Sequence, residues 1–107
     1  MPLRMPQNLP SRFSIETGAG ILERELLAEK AATLGRISRE AERALKRLKD
    51  HDAGDGDGAP REALVKSAAE AVWRFMIQRE LCGFRDPEAI VTDYAIPREV
   101  MNRVGAR

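Results

Sequence analysis

The chain has 107 residues, 43% of them hydrophobic and 33% charged, a length that suits one domain and a composition too apolar for a disordered chain. Its 18 basic and 17 acidic residues leave a formal net charge of +1, which provides no general attraction for nucleic acid or an anionic membrane. One Cys excludes an internal disulfide, and one Cys with one His is too few for an all-protein zinc site, so no metal or other cofactor is expected.

The N-terminal run MPLRMPQNLPSRF contains Pro2, Pro6 and Pro10. Each removes a backbone donor and biases the preceding residue away from helix, so residues 1–13 are expected to form a flexible arm. The alternative is an arm that drapes across a partner through Leu3, Met5, Leu9, Phe13 and Ile15. The run holds no apolar segment of signal-peptide length, and no stretch approaches the ~20 residues needed to span a bilayer. A cytoplasmic protein with a reduced thiol and no membrane contact is expected.

Residues 14–107 are expected to form a single all-α domain with helices over about 18–50, 60–82, 87–94 and 97–104. Ser14 or Thr17 can cap the first by accepting a bond from an orphan amide. Within it Leu27, Ala31, Leu34, Ser38, Ala41, Leu45 and Leu48 step by alternating four and three, the spacing of a helix-packing seam. Leu26, Ile37 and Ala44 widen the seam, and Arg36, Arg39, Arg43 and Arg47 take the other face. Gly35 is expected to be small because a bulky side chain, Phe75 by register, lies opposite.

Asp50 to Ala59, with four Asp and three Gly, reads as a loop. An EF-hand starting at Asp50 fails, because Gly54 and Asp55 stand in the wrong order and Arg61 holds the place of the bidentate Glu. The second helix carries Leu64, Ala68, Ala71, Val72, Phe75, Met76 and Cys82 on one face. Trp73, Ile77 and Leu81, spaced at i, i+4 and i+8, form a second apolar stripe. Arg79 falls near the centre of the main stripe, and Gly83 suits the left-handed residue that closes a helix. Asp86-Pro87-Glu88 opens a short third helix with Ile90, Val91 and Tyr94, and Ile96-Pro97 breaks it before a fourth with Val100, Met101 and Val104.

A short loop between two amphipathic helices makes them an antiparallel hairpin. The two C-terminal helices start at the far end from that loop, so they are expected to pack on Ile21, Leu22, Leu26 and Leu27. The stripe Trp73, Ile77, Leu81 is covered either by the short C-terminal helices or by a second chain. In the second case it is the candidate interface, closed by a homodimer with four-helix-bundle character or by another protein partner. Arg79, placed among apolar residues, needs acceptors, which Asp93, Asp86 or Glu29 could supply. Asp93 is its candidate partner in a structural ion pair, and the alternative is a packed stem whose charge snorkels past the helix end.

No phosphate loop, metalloprotease motif or serine elbow is present. Cys82 and His51 stand at opposite ends of the second helix, too far apart for a nucleophile and its base. No catalytic residue is assigned, and a non-catalytic interaction or self-association module is the expected function. The alternative is a helix-turn-helix DNA binder over residues 87–104, with Ala95 at the turn site that usually takes Gly and Arg98, Asn102 and Arg103 facing DNA. Eight basic against seven acidic residues from Arg61 to Arg107 weaken that alternative, so nucleic acid is not the expected partner.

Three clusters suggest a relationship: Trp73-Arg74-Phe75; Gln78-Arg79-Glu80 followed by Cys82-Gly83; and Asp93-Tyr94 followed by Ile96-Pro97-Arg98-Glu99-Val100. The run from Ala71 to Gly105 that contains them resembles the C-terminal half of a family of small helical proteobacterial proteins known only as a domain of unknown function. A looser likeness covers LLAEKAATLGR. The resemblance implies a compact helical fold and brings no activity, ligand or catalytic residue.

Overall fold

The computed structural model describes the backbone of residues 8–106 and the side chains of residues 18–106. It contains α1 (Asn8–Asp52), α2 (Arg61–Leu81), α3 (Pro87–Asp93) and α4 (Arg98–Met101), with no strand among the described residues. The fold is all-α, as the periodicity predicts.

α1 begins at Asn8, well before the expected start near residue 18. Pro10 falls in its first turn, where amides have no intrahelical acceptor and a missing N–H costs nothing. Of the expected arm, residues 1–7 lie outside the described residues, as do the anchor and cap side chains of Leu9, Phe13, Ser14, Ile15 and Thr17. The chain divides into two compact units, Met1–Ala32 and Thr33–Arg107. In the first, every residue from Ile21 to Ala32 is exposed, so that stretch adds nothing to a core.

The core belongs to the second unit. Ala41 and Leu48 of α1 meet Leu64, Val65, Ala68, Ala69, Ala71, Val72 and Phe75 of α2, with Ile90, Ile96 and Val100 from the C-terminal segment. The small residues Ala41, Ala68 and Ala71 are among those buried in the core. The pairing is antiparallel: Arg74 lies 3.8 Å from Glu40, and the two residues stand nearly equally far from the connecting loop. Phe75 and Tyr94 pack edge to face with ring centroids 5.1 Å apart, which fixes the end of α3 on the middle of α2.

Three helix ends use the same device. After α2, the Gly83 amide donates to the Glu80 carbonyl at 3.0 Å and the Phe84 amide to the Arg79 carbonyl at 2.9 Å, a Schellman motif with Gly83 left-handed at φ 96°. After α1, the Gly54 and Asp55 amides return to His51 and Asp50 in the same way, and after α3 the Ala95 and Ile96 amides return to Thr92 and Val91. Ala95 takes the left-handed place at φ 50° without being glycine.

Two expectations are overturned. α3 and α4 do not cover Ile21, Leu22, Leu26 and Leu27, which remain 41%, 66%, 56% and 64% exposed. Instead α3 doubles back toward the loop end, where Asp93, Tyr94 and Pro97 share a groove with Leu45 and Leu48. α4 joins the start of α2 through Arg61–Glu99, and Arg103, just past α4, adds a bond to Glu62. A left-handed residue after each helix reverses the chain twice, which the simple count from Gly83 ignores. The expected Gly35–Phe75 pairing is also absent. A side chain at Gly35 would approach only the Arg39 guanidinium, at 3.4 Å, because Phe75 turns toward Tyr94.

Candidate protein-interaction surface

Trp73, Ile77 and Leu81 lie on one face of α2, and all three are exposed, at 43%, 38% and 69%. Phe84, 51% exposed, joins them as the residue after Gly83, delivered to this face by the Schellman turn. Sequence reasoning missed Phe84. The available signal was Gly83 itself, since the residue that follows a left-handed cap folds back on the helix it ends.

A groove of about 130 Å³ runs between this face and the start of α3. Trp73, Met76, Ile77, Phe84, Pro87 and Ile90 line it, Ile90 being itself buried. Arg79, Glu80 and Arg85 supply its polar rim. The opposite edge of Trp73 meets the C-terminal residues, where a side chain at Gly105 would stand 3.5 Å from the indole. The chain therefore covers Trp73 in part and leaves Ile77, Leu81 and Phe84 open.

The Arg79–Asp93 ion pair is not formed. Among the described residues no carboxylate lies within ion-pair distance of Arg79; its guanidinium sits 4.9 Å from the Phe84 ring centroid and 6.0 Å from that of Phe75. A guanidinium is planar and weakly hydrated, so two aromatic faces satisfy it where a carboxylate was expected. Asp93 is exposed and lines the separate groove beside Leu45 and Leu48.

Apart from Arg74–Glu40, the ion pairs among the described residues gather at the loop end. Arg61 donates from Nη1 and Nη2 to Glu99 at 2.7 and 2.9 Å, and from Nε and Nη2 to Asp52 at 2.8 and 3.1 Å. The hydrogen bonds from Arg61, and then from His51, hold the Asp52 carboxyl down to about 2, and Arg61 also holds Glu99 below its ordinary value. Asp57 accepts from Arg47 at 2.8 Å and from the Ala59 amide at 3.1 Å, which keeps it below its usual range. Lys46 bonds Asp50 at 2.7 Å. Three of the four loop aspartates thus serve as ion-pair partners, and no group of three metal-ligating side chains exists among the described residues.

The candidate DNA contacts fall on this same end. Arg103 is bonded to Glu62, while Arg98 and Asn102 are exposed. α4 has four residues, barely one turn. Ala95 does make the left-handed turn between α3 and α4, but the helix it leads into is too short to lie along a major groove. Cys82 is half-buried at the end of α2, its Sγ 3.9 Å from Gln78 Nε2. Among the described residues no helix is long and apolar enough to cross a membrane.

No curated protein and no solved structure matches the chain. One family model matches residues 1–107, well beyond the Ala71–Gly105 run that carried the sequence resemblance. The chain belongs to that family, DUF6665, a family of unknown function.

Proposed function

We propose that this protein is a non-catalytic, self-associating helical module whose interface is the face formed by Trp73, Ile77, Leu81 and Phe84. The observation that carries this reading is the open apolar face itself: four large hydrophobic side chains, each at least 38% exposed, gathered on one surface. Burying such side chains stabilises by roughly 25 cal/mol per Å², and contiguous apolar patches on small domains mark interaction sites. A second copy presents the same face, and a twofold axis lets each chain cover the other.

Trp73 is the only tryptophan and lies in the proposed interface, so its emission reports association directly. Sedimentation equilibrium is expected to give twice the 11.9 kDa chain mass, with tryptophan emission shifting to the red on dilution. Ile77→Asp is expected to yield a monomer with native helical circular dichroism. A wild-type chain that stays monomeric, with unchanged emission across the concentration range, overturns the reading.

The helix-turn-helix alternative for residues 87–104 is the weaker. Its one structural support is the turn at Ala95, and Arg103 is already engaged by Glu62.

A further inference from the structure

We infer that residues 18–32 of α1 pair antiparallel with the same residues of a second copy, in a register set by Glu23 of each chain against Lys30 of the other. The inference rests on the self-association reading and adds to it a second contact, its orientation and its register.

This stretch is helical, yet every residue from Ile21 to Ala32 is exposed, Leu22, Leu26 and Leu27 by 56–66%. A helix of this length draws most of its stability from packing, and Gly18 and Gly20 lower its own propensity further. It therefore requires a cover.

The sequence identifies what fits. At about 100° per residue, Ala19, Glu23, Leu26 and Lys30 step by four, three and four along one face, with Leu22 and Leu27 beside them. Glu23 and Lys30 are the charges at the centre of this face, with Glu29 at its edge beside Leu22, and among the described residues neither Glu23 nor Lys30 is in an ion pair. Lying seven residues apart, they stand two turns from each other and cannot pair well within one helix.

Across an antiparallel twofold axis they can. The register that sets Leu26 against Leu27 of the second copy places the axis between them. Moving three residues outward in each direction then sets Glu23 against Lys30, and by symmetry Lys30 against Glu23. A parallel pairing would set Glu23 against Glu23 and Lys30 against Lys30, which repels twice. Polar residues inside a helical seam specify register and orientation in this manner. The face is thus complementary to itself in one orientation only, and that selects a second copy as its occupant.

Charge reversal tests the register. Glu23→Lys and Lys30→Glu, made separately, are each expected to raise the dimer dissociation constant about tenfold by sedimentation equilibrium, and the double exchange is expected to restore it. Cross-linking tests orientation in a Cys82→Ser background: Leu27→Cys, beside the axis, is expected to form a disulfide-linked dimer on mild oxidation. Ala19→Cys, far from the axis, is expected not to cross-link with itself. A dimer that ignores both single reversals, or one that cross-links through Ala19→Cys and not through Leu27→Cys, overturns this inference and leaves self-association through the Trp73 face standing. A wild-type monomer overturns both.

Discussion

At the scale of single residues, Arg79 shows how an aromatic pair can take the place of a counter-ion. Its carbonyl accepts the Phe84 amide at 2.9 Å while its guanidinium stacks on the Phe84 ring, so the hydrophobic contact that usually closes a Schellman motif is here a cation–π contact. Arg79→Lys keeps the charge but loses the planar stack, and is expected to lower stability by about 0.5–1 kcal/mol in urea titration. Asp93→Asn is expected to change it by less than about 0.5 kcal/mol, as for other surface substitutions; a larger loss would restore the ion-pair reading. Ala95 gives a second test. Its left-handed backbone costs an alanine about 1 kcal/mol, part of which a glycine recovers after its greater freedom in the unfolded chain is counted. Ala95→Gly is therefore expected to raise stability by about 0.5 kcal/mol, and a loss would mean that the Cβ packs usefully. Trp73, Ile77 and Leu81 were legible in the sequence because helical spacing alone separates them from the core face. The partner of Arg79 was not, because an arginine among apolar residues signals only that something must satisfy it.

At the scale of elements, the long helices, their antiparallel pairing and the close of α2 at Gly83 follow from periodicity and cap chemistry. The destination of α3 and α4 does not. It depends on Phe75–Tyr94 and Arg61–Glu99, contacts 19 and 38 residues apart in sequence, and no local pattern encodes such pairs. Arg61 links the end of α1, the start of α2 and α4 through Asp52 and Glu99, and this network has a pH signature. Both carboxyls are depressed in the folded chain, Asp52 from 3.8 to about 2 and Glu99 from 4.5 to a lower value. A depressed carboxyl contributes stability that is fully present above its unfolded value and is lost as pH falls through the folded one. Melting temperature is therefore expected to fall as pH drops from about 5 toward 2, and more gently in 0.5 M salt, because the pairs are exposed and screened. The double variant Asp52→Asn, Glu99→Gln should flatten that part of the profile; if its slope matches wild type, the acid sensitivity arises elsewhere.

At the scale of the whole molecule, the core and the proposed interface make different demands on stability, and concentration separates them. Phe75 is 3% exposed and belongs to the chain's own core, whereas Ile77, two residues on, is 38% exposed. Truncating a buried phenylalanine removes its transfer energy and leaves a cavity, at a cost of about 3–5 kcal/mol. Phe75→Ala should therefore lower the melting temperature at every protein concentration. Ile77 has little to lose within one chain. In the proposed dimer its contribution would arise when a second copy covers it, since a partner that binds only the folded state raises apparent stability with its own concentration. The wild-type melting temperature is thus expected to climb between micromolar and hundreds of micromolar chain, while that of Ile77→Ser stays level and meets the wild-type value at the dilute end. Equal slopes for the two proteins would place Ile77 outside any interface. A lower Ile77→Ser value at the dilute end would place it in the core with Phe75. The outcome expected from the exposures is neither, since the same helix turns one face to its own chain and leaves the other exposed.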